Sequence, residues 1–300
     1  MLLRSAAAVI LLAAALPAAD AAAPRITVKW TDGAARAISL PARVSGHVLF
    51  APLRVHGAQL MFLIDTGAAD SLLDERAAVR LGLLTGGAGG GGASARPVPN
   101  QDVATTAFTV VEVPFAVTSL APLSGRFGLT IDGILGYDFL EWFAVDLDFA
   151  ARRLRLAEAR ADSAKNRTCV PLGLINRLPY TSITVVSQKG VERTGTFLVA
   201  TGESGTLRLA GAFGADPALG GTAAIRAAAV RLGPFELKEI ELAAREPARA
   251  DHADGVLGGG LLDHFTVRLS YGSQRMCLTP AKKSTAPRLD SSIPPTQHSS

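Results

Sequence analysis

The sequence predicts a mostly β protein built from two similar lobes, and three observations support this fold class. The chain contains 30 glycines and 17 prolines, and Val, Thr and Leu alternate along short segments, a pattern typical of strands joined by turns. With 300 residues, of which 48% are hydrophobic and 19% charged, the chain is long enough to form two small cores. An internal repeat then indicates that these two cores share one architecture.

The repeat is clearest where residues 133–156 align with residues 255–278 without a gap. These 24 positions share nine identities, among them the first and fourth residues of each segment, which are glycines. Upstream of each copy, residues 62–71 (FLIDTGAADS) align with residues 197–206 (FLVATGESGT). Because both segments recur in the same order, the chain is predicted to contain two copies of one lobe.

The first copy places a carboxylate in a tight turn, because its apolar run ends in Asp65-Thr66-Gly67. Gly67 permits a backbone conformation that a side chain would obstruct, and the Thr66 hydroxyl can hold the turn. An aspartate on a rigid loop at the end of a strand is suited to acid–base chemistry. Three residues recur by chance, however, and by itself such a motif is more often only a turn.

This loop resembles the active-site loop of the aspartic proteases, in particular the retroviral-type proteases and their bacterial relatives. Residues 132–140 (DGILGYDFL) are similar to the strand and short helix that close each lobe in this family and support its catalytic loop. The resemblance covers nearly all of residues 25–280. It implies two tandem retropepsin-like acid-protease lobes that form a pepsin-like bilobal structure.

The second copy departs from the family pattern, because Ala200 stands where a second aspartate is expected. In the family, two carboxylates share one proton: one accepts a proton from the attacking water while the other polarises the scissile carbonyl. The resemblance therefore implies that Asp65 is the catalytic residue and that position 200 is degenerate. The residues implied to support the two loops are Thr66, Gly67, Thr201 and Gly202.

Glu203 is a candidate surrogate for the missing carboxylate. It lies three residues after Ala200, at the position that Ala68 occupies in the first lobe, and its longer side chain could approach Asp65. The alternative is that Glu203 is a polar residue on the rim of the site. The sequence leaves this choice open.

Three functions follow from these motifs. The first is an aspartic endopeptidase that cuts extended peptides bound as an added strand between the lobes. The second is a catalytically silent module that binds a peptide or protein, because the methyl group of Ala200 carries no proton. The third pairs the Asp65 loops of two chains, and it ranks last because the second lobe would have to leave its place opposite the first. We therefore expect a monomer.

The repeat also sets the expected organisation of the chain. The predicted segments are a signal peptide at 1–21, an N-terminal lobe at 25–156, a linker at 157–168, a degenerate C-terminal lobe at 169–280 and a disordered tail at 281–300. In the first lobe the predicted elements are strands at 26–30, 36–41, 46–55 and 58–65 and a helix at 73–83. The glycine-rich residues 85–93 fall near the flap that covers bound peptide in the family, and glycines would let such a cover move.

Residues 1–21 have the pattern of an export signal. Arg4 supplies a positive start, an apolar core follows, and Ala19-Asp20-Ala21 is a small-x-small cleavage site. The apolar run is shorter than a bilayer requires, so no membrane span is expected. The mature protein is thus predicted to be periplasmic or secreted.

The two cysteines, Cys169 and Cys277, fall in the first and last predicted strands of the second lobe. In the resembled fold those terminal strands lie in the sheet that joins the lobes, which implies a disulfide in an exported protein. Two buried free thiols are the alternative interpretation.

Composition argues against several other classes of function. Aromatic residues make up only 6% of the chain and the formal net charge is a modest +4, which disfavours nucleic-acid binding. The segment 251–254 (DHAD) lacks further His or Cys at ligand spacing, so we expect no metal site and no cofactor. A Gly-x-Ser-x-Gly elbow is also missing from the sequence, which disfavours a serine hydrolase.

Overall fold

Short strands joined by tight turns make up most of the protein. The computed structural model describes residues 26–84, 95–159, 168–219, 225–243 and 253–281. The strands of the first half are β1 (Thr27–Trp30), β2 (Ala37–Pro41), β3 (Arg43–Ser45), β4 (Val48–Val55), β5 (Ala58–Ile64), β6 (Ser71–Asp74), β7 (Arg96–Pro97), β8 (Gln101–Ala104), β9 (Phe108–Val113), β10 (Phe115–Thr118), β11 (Gly133–Leu135), β12 (Phe143–Asp148) and β13 (Arg153–Glu158). Its helices are α1 (Glu75–Arg80), α2 (Ala121–Phe127) and α3 (Tyr137–Leu140).

The second half repeats this plan with fewer strands in the described ranges. They are β14 (Thr168–Pro171), β15 (Gly173–Ile175), β16 (Leu178–Val186), β17 (Glu192–Val199), β18 (Leu207–Leu209), β19 (Ile225–Leu232), β20 (Phe235–Ala243), β21 (Gly255–Leu257), β22 (Phe265–Ser270) and β23 (Arg275–Pro280). Helices α4 (Gly211–Gly214) and α5 (Gly259–Leu262) are each a single turn, and Pro217–Leu219 form a 3-10 turn.

Three sheets organise these strands into two lobes and a connection between them. The first-lobe sheet has the order β1-β9-β8-β4-β5-β11-β6-β10-β7, with β3 paired to β4. The second-lobe sheet has the order β15-β16-β17-β21-β18-β20-β19. The joining sheet, β14-β23-β22-β12-β13-β2, takes strands from both halves. The prediction of a mostly β protein with two tandem lobes is therefore confirmed.

The repeated glycines let one strand of each lobe pair closely with the strand that leads into its loop. Strand β11 runs parallel to β5 with Gly133 opposite Phe62, and β21 runs parallel to β17 with Gly255 opposite Phe197. A Cβ atom at either glycine would lie 2.5 Å from a ring carbon of the opposite phenylalanine. Because each ring packs directly on the glycine, a larger residue would push these strands apart.

The joining sheet holds the lobes together by backbone pairing, an ion pair and a disulfide. Strands β12 and β22 pair antiparallel, and across them the guanidinium of Arg268 binds both carboxylate oxygens of Asp146, at 2.5 and 2.6 Å. Both side chains are buried. At the edge of the sheet, Cys169 and Cys277 form a disulfide between β14 and β23. The disulfide prediction is confirmed, and the interpretation as free thiols is wrong.

Two local predictions differ from the structure. The strand expected at 46–55 begins only at Val48, because Gly46 and His47 both have positive φ and form the turn of a hairpin. The helix expected at 73–83 spans only Glu75–Arg80, because Leu73 and Asp74 still belong to β6, which pairs parallel with β10. A pattern of apolar spacing does not show where such pairing ends.

Several predictions concern segments outside the described residues. They are the signal peptide at 1–21, the glycine-rich cover at 85–93, most of the linker at 157–168 and nearly all of the tail at 281–300. The lobe and linker boundaries as a set remain predictions. Among the described helices, none is long and apolar enough to cross a membrane.

Candidate functional site

The Asp65 loop lies at the end of β5, where main-chain hydrogen bonds hold it. The Asp65 N–H donates to the Leu135 carbonyl at 3.1 Å, which extends the pairing with β11 by one residue. Oδ1 of Asp65 accepts the N–H of Gly67 at 2.8 Å and the N–H of Gly202 at 3.0 Å. One of these donors comes from each lobe. The carboxylate therefore lies where the two loops meet.

The glycines of the two loops permit this close approach. A Cβ atom on Gly202 would lie 2.4 Å from Cγ of Asp65, and one on Gly67 would lie 2.7 Å from Cβ of Ala200. Each glycine therefore faces the residue that begins the opposite loop, as expected for a pseudo-two-fold arrangement. The structure thus brings together all the residues that the sequence predicted for the two loops.

Two threonines bind the loops to each other. The N–H of Thr66 donates to Oγ1 of Thr201 at 3.1 Å, and the N–H of Thr201 donates to Oγ1 of Thr66 at 3.2 Å. Each hydroxyl then donates to a carbonyl of the opposite lobe: Thr66 to Val199 at 2.5 Å and Thr201 to Ile64 at 2.8 Å. Both threonine side chains are fully buried. Four hydrogen bonds thus hold the loops in one relative position.

Ala200 repeats the backbone position of Asp65 but has an apolar side chain. Its N–H donates to the Leu257 carbonyl at 3.0 Å, which matches the Asp65 bond to Leu135. Its side chain is 3% exposed and belongs to an apolar cluster with Tyr180 and Leu198. The second loop therefore repeats the backbone of the first loop without its carboxylate.

Glu203 has the backbone position of Ala68, but its carboxylate binds an arginine. The N–H of Glu203 donates to the Ala200 carbonyl at 3.2 Å, just as Ala68 donates to Asp65 at 3.3 Å. Its Oε1 lies 2.9 Å from Nη2 of Arg208, in an ion pair whose side chains are 34% and 29% exposed. The sequence did not predict this ion pair. Arg208 lies in β18, and only the folded structure brings its side chain to Glu203.

Asp138 supports the first loop, and sequence reasoning assigned it no role. Its Oδ2 accepts the N–H of Ser71 at 2.9 Å, and its Oδ1 accepts the Ser71 hydroxyl at 2.5 Å. The Ser71 oxygen in turn accepts the N–H of Gly136 at 3.1 Å. Asp138 is 3% exposed, and burial raises its pKa above the ordinary 3.8. An acidic residue inside the apolar run ILGYDFL was the signal for this role.

Two tyrosines pack beneath the same loop. The rings of Tyr137 and Tyr271 meet edge to face with centroids 5.1 Å apart, and the Tyr137 N–H donates to the Ala68 carbonyl. Burial and a hydrogen bond to Glu141 raise the pKa of Tyr137 to about 12. Burial, and next the negative charge of Asp65, raise the pKa of Tyr271, so its phenol stays protonated. Within the described residues, the Tyr271 hydroxyl has no hydrogen-bond partner.

The hairpin tip of each lobe reaches across to the other lobe. Arg177, between β15 and β16, places Nη2 2.8 Å from Oδ1 of Asp70 at the end of the first loop. His47, between β3 and β4, places Nδ1 2.6 Å from Oδ2 of Asp263 beside α5. The two hairpin tips are equivalent in the repeat, but their partners are not, because Asp70 lies in the first loop whereas Asp263 aligns with Glu141. Both contacts add to the connections that keep the two loops facing each other.

The described ranges contain no group of three or more His, Cys, Asp or Glu side chains placed to hold a metal ion. The polar groups around the two loops instead bind one another and the backbone. What the arrangement offers chemically is one carboxylate, positioned by main-chain N–H groups, between two lobes. Such a group can accept a proton or bind a hydrogen-bond donor.

Comparison with known proteins gives a family match and a fold match. Residues 51–139, which include the Asp65 loop, β11 and most of α3, match the aspartyl protease family model. The fold is similar to the aspartic proteinase from Irpex lacteus, with a TM-score of 0.53, 15% identity, and coverage of 83% of this chain and 99% of that chain. It is also similar to Basic 7S globulin from soybean, with a TM-score of 0.51, 10% identity, and coverage of 82% and 95%. No curated protein matches the chain significantly.

Proposed function

We propose that the chain is a member of the retropepsin- and pepsin-like aspartic protease family, as the family match of residues 51–139 and the fold support, and that it hydrolyses extended peptides between its lobes, with Asp65 as the acid–base group. The observation that supports this most directly is the pair of hydrogen bonds from Gly67 and Gly202 to Oδ1 of Asp65. Donors from both lobes hold the carboxylate before any substrate arrives. Such preorganisation is what acid–base catalysis requires.

The reaction that Asp65 would assist is the addition of water to a peptide carbonyl. The carboxylate takes a proton from water while the water oxygen bonds to the carbonyl carbon. The proton then passes to the amide nitrogen as the C–N bond breaks, and the carboxylate is restored. With Ala200 opposite, the carbonyl oxygen lacks the acid that a second aspartate would supply, so we expect slow hydrolysis compared with a complete dyad.

A second candidate function is peptide binding without cleavage, and two observations favour it. The methyl group of Ala200 is buried in an apolar cluster and has no proton to give. The carboxylate of Glu203, the proposed surrogate, is held in an ion pair with Arg208. To serve Asp65, Glu203 would have to leave that ion pair.

Pairing of Asp65 loops from two chains receives less support. The Thr66 and Thr201 side chains already bind each other's loops within one chain, and β12 and β22 pair across the joining sheet. A dimer of the retroviral type would have to break both connections. A monomer remains our proposal.

The disulfide and the predicted export signal indicate the compartment in which the protein would meet its substrate. A disulfide between Cys169 and Cys277 is typical of proteins in oxidising compartments. Together with the signal predicted at residues 1–21, it supports a periplasmic or secreted protein. The substrate or partner proposed here is therefore a peptide or protein met outside the cytoplasm.

A digestion experiment tests the proposal. A peptide mixture of diverse sequence is incubated with the unaltered protein, with Asp65→Asn and with Ala200→Asp at acidic and neutral pH, and products are identified by mass spectrometry. We expect cleavage by the unaltered protein, its loss in Asp65→Asn, and an increase of about a hundredfold in Ala200→Asp. Full activity in Asp65→Asn would overturn the mechanism.

The remaining outcomes separate the two candidate functions. If only the Ala200→Asp variant cleaves peptides, the unaltered protein is a binding module whose site lacks the second carboxylate. An inactive Ala200→Asp protein that still folds would count against the protease function altogether. Asp65→Asn preserves the size of the side chain, so its effect is not a packing defect.

A further inference from the structure

The two lobes present different chemistry at equivalent positions beside the site. Ile134 of β11 lies opposite Leu72, and the equivalent Val256 of β21 lies opposite Arg208. By strand register Leu72 and Arg208 therefore occupy the same place, and the second loop is one residue longer than the first between Ala200 and this position. Ala68 and Glu203 are likewise equivalent by their main-chain hydrogen bonds. Two apolar residues of the first lobe are thus replaced by two charged residues in the second.

In the first lobe, both positions belong to an apolar surface that we call the first-lobe wall. Along β5, Leu63 points to the same side as Asp65, while Phe62 and Ile64 point to the opposite side, into the main core. Ala68 and Leu72 pack on the wall without being fully buried. The buried members of the wall are Val48, Phe50, Leu63, Leu120, Phe127, Ile131 and Ile134. Because the buried members are closed to solvent, an apolar side chain of a bound peptide would rest on the partly buried Ala68 and Leu72.

In the second lobe, the equivalent cluster is smaller and the ion pair adjoins it. Tyr180, Leu198 and Ala200 are its buried members, with Val256 packed against them. Arg208 lies directly opposite Val256, and residues directly opposite each other in a β-sheet share a face. The Glu203–Arg208 pair therefore lies on the same side of the sheet as Ala200. Both charged side chains remain about one-third exposed.

We propose that the Glu203–Arg208 pair selects a carboxamide side chain, Asn or Gln, on the second-lobe side of a bound peptide. This inference rests on the proposed peptide site but not on hydrolysis. It assigns Glu203 to substrate recognition in place of the role of surrogate carboxylate.

The chemistry of the pair favours a carboxamide over the other side chains. A carboxamide has a carbonyl that accepts from the guanidinium and an NH2 that donates to the carboxylate, so it satisfies both partners. An acidic or basic side chain attracts one partner and is repelled by the other. An apolar side chain would remove water from both charges without replacing its hydrogen bonds.

A binding experiment tests the selection independently of cleavage. The full chain with Asp65→Asn is titrated into labelled peptides that contain one Phe and one variable residue, Gln, Leu, Glu or Lys, separated by roughly two to five positions in either direction. Fluorescence polarisation reports affinity. At one spacing we expect the Gln peptide to bind about tenfold more tightly than the other three, as one charge-assisted hydrogen bond would produce.

Variants then assign the selection to the pair. Glu203→Ala with Arg208→Leu installs the residues of the first lobe, and we expect the preference to change from Gln to Leu. Glu203→Gln, a milder change, should remove the discrimination against the Glu peptide. The matched control is Glu236→Ala with Arg231→Leu, which removes a surface ion pair of 2.8 Å from the β19–β20 hairpin. This control should keep the preference for Gln.

The outcomes distinguish this inference from the proposed function. Peptide binding that favours Leu at every spacing, or a Gln preference that survives both changes at Glu203, would overturn the selection alone. Failure of every peptide to bind would overturn the peptide site itself, and with it both proposals.

Discussion

Thr66 and Thr201 exchange hydrogen bonds across the boundary between the lobes, each donating its N–H to the hydroxyl oxygen of the other. Each hydroxyl donates a hydrogen bond to a carbonyl of the opposite lobe. The contact is symmetric although the residues before the threonines, Asp65 and Ala200, are not. The backbone of the two loops is therefore symmetric around a single aspartate.

Replacing Thr66 by Val should destabilise the protein by about 2–5 kcal/mol, because the Thr201 N–H and the Val199 carbonyl would lose their partner while buried. Urea unfolding measures the effect. Thr184→Val, which breaks a surface hydrogen bond to Thr194, is the matched control and should change stability by less than about 0.5 kcal/mol. Equal effects of the two substitutions would contradict this role for Thr66.

Replacing Gly202 by Ala should displace the Asp65 carboxylate, because the new Cβ would lie 2.4 Å from Cγ of Asp65. If the protein cleaves peptides, we expect kcat/KM to fall by about a hundredfold. Gly205→Ala is the control within the same loop, since nothing lies within 4 Å of its Cβ position. An unchanged rate for Gly202→Ala would mean that the carboxylate does not act from the observed position.

Replacing Asp138 by Asn should make the protein relatively more stable as pH rises. Burial raises the pKa of Asp138 above 3.8, so the native state holds this proton at pH values where the unfolded chain has released it. The contribution of Asp138 to the free energy of unfolding therefore falls as pH rises from its unfolded pKa through its native pKa. Asparagine has no such titration.

Urea unfolding at a series of pH values, from acidic to neutral, checks this prediction. The difference in unfolding free energy between Asp138→Asn and the unaltered protein should grow in favour of the variant as pH increases. Asp148→Asn, at the end of β12 where its Oδ1 accepts the Ala151 N–H, controls for the loss of one negative charge. If this difference shrinks toward neutral pH, the native state does not raise the pKa of Asp138, and the prediction is wrong.

Replacing both cysteines by alanine should lower the free energy of unfolding by about 3–5 kcal/mol, because the disulfide closes a loop with a sequence separation of 108 residues. Urea unfolding with and without a reducing agent measures this loss. The reducing agent should destabilise the unaltered protein and leave the double variant unchanged. Insensitivity of both proteins to reduction would contradict the stabilising role.

Much of the architecture was predictable because its signals are local and repeated. The apolar run before Asp65 and the glycines at 133 and 255 specify strands that must pack closely. Since both copies carry these signals in the same order, the sequence also predicted that the Asp65 and Ala200 loops are equivalent. The limits of individual elements were less predictable, because the parallel pairing of β6 with β10 extends a strand into a segment with helical spacing.

By itself, the sequence determined that the chain forms two β lobes with one aspartate between them, because alternation, glycines and the repeat encode strand order and face. Only the tertiary structure decided the partners of the charged side chains: Arg208 for Glu203 and Ser71 for Asp138. It also decided between a disulfide and free thiols by placing Cys169 opposite Cys277. The physical reason is that side-chain periodicity specifies the face of an element, whereas a partner depends on the register between strands distant in the sequence.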